Sequence, residues 1–179
     1  MAPNQPPWPT RWLMTDERLG ERLWEAIDRL PIGSGIIVRH YRLSPGDRLE
    51  LGTEIARRAD KRHLMLGVAG SRRLAKQLGA SLVHNPDEPG ELACSMAVHD
   101  EAEALAARKA GAVLAFVAPV YATRSHPGRP HLGAERAAEL AAIAACPAIA
   151  LGGMDEERFA ALSERGFYGY AGIDCWLRT

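Results

Sequence analysis

Val113–Leu151 reads V-L-A-F-V, then A-P-V-Y-A-T-R-S-H-P-G-R-P-H-L over Ala118–Leu132, G-A-E-R-A-A-E-L-A-A-I-A from Gly133, and P-A-I-A-L from Pro147. An apolar run passes through a polar loop into a helical-period segment and then into a second apolar run. Ala137, Leu140, Ala141 and Ala144 share one face at helical spacing. Short continuous apolar strands joined by helices belong to a parallel sheet buried on both faces. The loop carries the hydroxyls Thr123 and Ser125, the arginines Arg124 and Arg129, and the histidines His126 and His131. A long polar loop between a strand and a helix is where α/β proteins place ligand chemistry.

The same unit recurs on both sides of this stretch. Trp12–Thr15 reads as a first strand, followed by a helix with Leu19, Leu23, Ile27 and Leu30 on one face. Gly35–Val38 is a second strand delivering Arg39, His40 and Tyr41, and Ser44-Pro45 opens a helix carrying Leu51, Ile55 and Ala59. Leu64–Val68 precedes a helix with Leu74 and Leu78 that stops at Gly79. Ser81–Val83 is a weak strand that runs into His84-Asn85-Pro86-Asp87, and no helix intervenes before the strand Leu92–Val98. Ala102, Leu105, Ala106 and Ala110 form a helical stripe. After Gly152-Gly153, Asp155 caps a helix with Phe159 and Leu162, and Phe167–Ile173 is the last strand. Eight strands in regular alternation predict a compact (β/α)8 TIM barrel with a short or absent fourth helix and a truncated eighth. The missing eighth helix should expose apolar surface for a second protomer or the N-terminal leader to cover, so a homodimer is expected. Residues 1–10, with four prolines, read as a flexible leader, and 11–179 as one barrel domain.

The 22 basic and 22 acidic side chains cancel, which argues against nucleic acid and anionic membranes as partners. No stretch reaches the ~18 apolar residues of a membrane span. Cys94, Cys146 and Cys175 are widely spaced without a C-x-x-C pair, and Cys94 and Cys146 read as small core residues. Without a basic-then-apolar leader, a cytoplasmic protein is expected.

In such a barrel, function lies at the C-terminal strand ends. Gly152-Gly153 before a helix and Ala171-Gly172 on the last strand would expose amides to an anion, as in a phosphate cradle. Arg39 suits an anionic ligand, the alternative being an ion pair with Asp16 or Asp87. His40, His84, His99 and His126 lie near strand ends without any metal-ligand spacing, and no G-x-S-x-G nucleophile motif occurs.

Together these segments resemble the thiamine-phosphate synthase/TenI family from Trp12 to Ile173. V-H-D-E-A-E-A-L-A-A-R-K-A-G-A from Val98, A-P-V-Y-A-T-R-S-H from Ala118, P-H-L-G from Pro130, A-I-A-L-G-G-M from Ala148 and L-G-A-S-L-V-H ending at His84 carry the likeness. The resemblance implies a barrel that couples a thiazole phosphate to a pyrimidine methyl diphosphate with Mg²⁺, expelling diphosphate. It implies Arg39, His126 and His99 as catalytic groups, Thr123, Ser125 and His84 as substrate contacts, and Gly152, Gly153, Ala171 and Gly172 as the phosphate site. The chain departs from the family at several points. Of the strand-two pattern Q-x-R-x-K only Arg39 remains. The Mg²⁺-binding N-D pair falls on Ala69-Gly70, leaving Asp87 as the nearest carboxylate candidate, and the lysine of T-x-T-K is His126. Impaired or altered synthase activity is therefore expected. The alternatives are a TenI-like thiazole tautomerase using a histidine, or a non-catalytic barrel binding a small phosphorylated ligand of the thiamine pathway.

Overall fold

In the computed structural model, which describes residues 8–123, 128 and 130–177, eight parallel strands close into a barrel in sequence order, β8 pairing with β1. The strands are β1 (Arg11–Met14), β2 (Gly35–Val38), β3 (Met65–Ala69), β4 (Leu82–His84), β5 (Cys94–Val98), β6 (Leu114–Val117), β7 (Ala148–Leu151) and β8 (Gly169–Gly172). The helices are α1 (Arg22–Arg29), α2 (Pro45–Lys61), α3 (Arg72–Gln77), α4 (Glu101–Lys109), α5 (Gly133–Ala144) and α6 (Glu156–Ser163). No helix joins β4 to β5, and a single 3-10 turn, Asp174–Trp176, stands in place of the eighth.

The register separates an axis-facing set of residues from a helix-facing one. Trp12 lies opposite Gly35, Ile37 opposite Gly67, Ala69 opposite His84, Ala97 opposite Phe116 and Ile149 opposite Gly169. Large side chains thus face glycine or alanine across the ladders, so strands of three to five residues can close around few bulky groups. A Cβ on Gly35 would sit 2.2 Å from the Trp12 ring, so Gly35 is required there. Trp12 and Phe116 fill the axis edge to face, 5.7 Å apart, and both are fully buried.

Where helices are missing, other groups cover the barrel. In the β4–β5 connection the buried Arg72 guanidinium donates to the carbonyls of Glu88 (2.6 Å) and Leu92 (2.8 Å), stapling the loop against α3. At the eighth position the chain itself supplies cover for β8. Trp176 stacks on Tyr170 at 5.6 Å and donates its Nε1–H to Trp12 O at 3.1 Å. The cover comes from the chain's own C-terminal turn, because one flat indole spans what a helix would otherwise shield.

Two further expectations are corrected. Residues 8–10 are not a loose leader: Thr10 O accepts Tyr170 N–H at 2.8 Å, Pro9 O accepts the Trp12 indole N–H at 2.7 Å, and Trp8 O accepts the Tyr168 hydroxyl. The inward face of α4 is Ala104 and Ala107, whereas Ala102, Leu105, Ala106 and Ala110 point outward. A helix built mostly of alanine carries too little contrast for spacing to select its buried face. The cysteines are all free and half-buried at the edge of the core.

Trp176→Ala should lower unfolding free energy by about 3–5 kcal/mol, as for other buried aromatics, read from urea denaturation. Gly35→Ala should cost about 1–3 kcal/mol through overpacking against Trp12.

Candidate active site at the carboxyl ends of the strands

Arg39 follows β2 two residues after the axis-facing Ile37, on the axis-facing side of the strand end, and acts electrostatically on His84. Its backbone N–H donates to the fully buried Thr15 hydroxyl at 2.9 Å, which fixes the strand end. Neither carboxylate proposed as its structural partner reaches it. Asp16 pairs with Arg18 at 2.9 Å, and Asp87 accepts the Arg72 backbone N–H at 3.4 Å. Thr15 also bonds His40 Nδ1 at 3.0 Å, and burial holds that buried imidazole below its ordinary pKa.

His84 lies inside the barrel rather than at its open mouth. It is almost fully buried, bonds Ser95 Oγ through Nδ1 at 3.1 Å and meets the Phe116 ring edge to face at 5.0 Å. Burial first, then the positive charges of Arg39 and His99, push its pKa down to about 3, so it is neutral at pH 7. It forms the floor of the site and supplies no proton there.

His99 is exposed at the end of β5, with Nδ1 2.7 Å from the Glu103 carboxylate, which also accepts the His99 backbone N–H at 2.7 Å. A carboxylate on Nδ1 fixes the tautomer and leaves Nε2 as the nitrogen open to a ligand. Helix α4 supplies Glu103 one turn after its cap Asp100, so the V-H-D-E-A-E run builds both dyad and cap.

The loop after β6 is tied at its neck, where Leu132 N–H donates to Pro119 O at 2.9 Å and Gly133 N–H to Val120 O at 3.0 Å; the Ala118-Pro119 bond is cis. Thr123 is half-buried beyond that neck, whereas Ser125, His126 and the arginines Arg124 and Arg129 lie outside the described residues.

Gly152 (φ +98°) and Gly153 (φ +63°) occupy left-handed backbone at the end of β7, and the space their missing side chains leave is filled by this chain. A Cβ would meet Pro119 Cα at 2.9 Å and Ala122 O at 2.5 Å, respectively. These glycines therefore let the β6–α5 loop close over β7, rather than making room for an anion. Neither glycine N–H donates to a backbone acceptor among the described residues, so their amides still offer donors. Ala171 faces the axis, paired with Trp12 and Leu151, but the place of a Gly172 side chain is taken by Cys175 Sγ at 2.3 Å on the outer face. Helix α6 already carries Asp155 as cap and Glu156 and Glu157 in its first turn, which weakens its pull on a phosphate. Arg158 supplies the nearby positive charge, bonding Gly153 O and lying over Tyr121 at 5.5 Å.

Sequence reading missed Arg48. From the first turn of α2 its Nη2 donates to Ala69 O at 2.7 Å and Val38 O at 3.4 Å, at the ends of β3 and β2, and its Cζ lies 5.2 Å from the Tyr41 ring. The one available signal was its position four residues after the cap Ser44. Among the described residues no three His, Cys, Asp or Glu side chains gather as metal ligands, and Mg²⁺ would depend on one carboxylate and the substrate's own phosphates. Asp87 is exposed, and a guanidinium sits against Ala69.

Because neutral His84 must be charged in the unfolded chain at low pH, stability is full above the ordinary histidine range near pH 6.5. It should fall by roughly 1.4 kcal/mol per unit as pH drops from there toward 3. His84→Asn should flatten that slope in urea titrations at successive pH values. In the folded protein, ¹⁵N spectra should show His84 neutral at pH 5.

The family model described as thiamine monophosphate synthase matches residues 12–175. A curated relative from Aquifex aeolicus (strain VF5), described as "Putative thiamine-phosphate synthase 2", is 24% identical and aligns over 94% of this chain and 98% of its own. Among solved structures, thiamine phosphate pyrophosphorylase from Pyrococcus furiosus superposes with TM-score 0.75 at 21% identity, covering 92% of this chain and 85% of that one. FabK from Thermotoga maritima shares the barrel with TM-score 0.69 at 16% identity, over 94% of this chain and 59% of its own. No helix among the described residues is long and apolar enough to cross a membrane. With all but the chain's two ends inside the match, this protein belongs to the thiamine monophosphate synthase (TMP-TENI) family.

Proposed function

We propose that this barrel is a thiamine-phosphate synthase of altered site chemistry, joining a thiazole phosphate to a pyrimidine methyl diphosphate. The observation that carries the reading is Arg39: a cation at the strand end, acting on a neutral histidine, with no carboxylate paired to it among the described residues. In this reading Arg39 binds the diphosphate and stabilises the charge that grows as the methyl carbon–oxygen bond breaks. The electron pair leaves with diphosphate while the thiazole forms the new bond to that carbon. The amides of Gly152 and Gly153, without acceptors among the described residues, Ala171 at the axis and Arg158 hold the thiazole phosphate, and Thr123, Ser125 and His126 of the β6–α5 connection are further substrate contacts.

A second reading is favoured by the His99–Glu103 pair: a thiazole tautomerase in which His99 Nε2 carries the proton. Incubation with both substrates and Mg²⁺ should yield thiamine phosphate, detected by mass; no product at high enzyme concentration rejects the synthase. Arg39→Gln should lower kcat/KM by about 10- to 100-fold, the equivalent of a charged hydrogen bond of 1.5–3 kcal/mol. His99→Gln should leave synthesis within a few-fold and abolish any exchange of thiazole-phosphate protons with D₂O.

A further inference from the structure

We infer that the Thr15 hydroxyl and the His40 imidazole form a positioning pair for Arg39, and that a proton added to His40 loosens the strand end carrying that cation. This is regulation of the proposed synthase site and rests on that reading. β1 pairs with β2 through Met14 and Ile37, and Thr15 N–H still donates to Ile37 O at 3.0 Å. In a parallel ladder the next bond would run from Arg39 N–H to the Thr15 carbonyl. Here it runs to the Thr15 hydroxyl instead, at 2.9 Å. The bond that holds the Arg39 backbone is therefore open to side-chain chemistry, as a ladder bond is not.

The hydrogens fix the state of the ring. A hydroxyl has one hydrogen to donate and two lone pairs to accept with. Thr15 Oγ1 accepts from Arg39, and among the described residues its other side-chain partner is His40 Nδ1 at 3.0 Å. Thr15 is fully buried and His40 nearly so. Only a bare Nδ1 can take the hydroxyl hydrogen, which leaves the ring hydrogen on Nε2. An imidazolium carries a hydrogen on both nitrogens. Its Nδ1–H would point at Oγ1, and the buried hydroxyl hydrogen would lose its acceptor. Opening the contact to water relieves that orphaned donor and frees Arg39 N–H with it.

Burial is the chief influence holding His40 below its ordinary pKa, and Arg48 on α2 and the adjacent Arg39 act in the same direction. Glu17 and Asp16, from the β1 side, act the other way. Asp16 pairs with Arg18, and burial raises the pKa of Tyr41, the next residue, so it stays neutral. Burial also works to raise Glu17, but N–H bonds from Arg42 and from its own backbone bring it below the ordinary carboxylate range. Glu17 therefore keeps its charge while His40 titrates. His40 is neutral at pH 7, where the contact is complete, and the contact opens as pH falls below the ordinary histidine value near 6.5. A role confined to tying β1 to β2 would not depend on that proton.

Hydrogen exchange on the full chain tests the pair without any ligand. The readout is protection of the Arg39 amide relative to the β2 ladder amides, corrected for the intrinsic exchange rate at each pH. Arg39 protection should fall at least about threefold between pH 7.5 and pH 5. In His40→Gln the side-chain carbonyl accepts the Thr15 hydrogen at both values, so the fall should vanish. Thr15→Val should lower protection at both values, and Thr15→Ser should restore it together with its pH dependence. In the synthesis assay, the ratio of wild-type to His40→Gln kcat/KM should fall over the same range. Protection that does not change with pH in the wild type, or an equal fall in folded His40→Gln, overturns the inference. So does a turnover ratio that stays flat while thiamine phosphate is being made. The two readings fail separately: a pH-dependent Arg39 amide with no thiamine phosphate at either pH rejects the synthase only, and synthesis with a pH-independent Arg39 amide rejects only the pair.

Discussion

Closure of β8 onto β1 around Trp12 is the contact on which the rest of the barrel depends. The indole fills the axis against Phe116, lies over Gly35, donates to Pro9 O, and the residue's own carbonyl receives Trp176. A short-stranded barrel has little interior, so one large side chain facing glycine sets how tightly the ring can close. The same residue ties down the N-terminal approach and the C-terminal turn. A chain of 179 residues can thereby complete a fold that usually needs ~250.

Losing two helices has consequences for the mouth. The β4–β5 loop is fixed by a buried arginine instead of a helix, and Asp87 is drawn toward the start of α3. The β3 end carries Ala69-Gly70, so carboxylate density on that side is low. Arg39 and Arg48 act on His40 there against the opposing charges of Glu17 and Asp16. Across the mouth the polarity is mixed: acids crowd the start of α6, while Arg158 and two glycine amides without acceptors among the described residues offer the donors. The histidines divide by burial. His84, in the interior, stays neutral; His99 lies exposed at the rim with its Nδ1 held by Glu103.

The family likeness and these departures have one physical reading. Strand patterning, the Gly-Gly after β7 and the looped β6–α5 connection are scaffold requirements. The glycines, for instance, are demanded by the backbone of Pro119–Ala122 approaching within 3 Å of a would-be Cβ. They persist whatever the ligand is. The metal carboxylates and lysines serve one chemistry, and they can change without disturbing that scaffold.

The sequence by itself determined the periodicities, and hence the eight units, the short or absent fourth helix, the helix starts at Ser44 and Asp155, and the placement of Arg39 and His99 at strand ends. These are local properties: alternation, turn residues and capping act over a few positions. Tertiary structure alone decided what lies opposite what. It selected Ala104 and Ala107 as the buried face of α4, covered β8 with Trp176, filled the space beside Gly152, Gly153 and Gly172 with protein, and turned Arg48 from a helix surface onto two strand ends. Each of these depends on contacts between residues distant in the chain, which spacing along a single sequence does not encode.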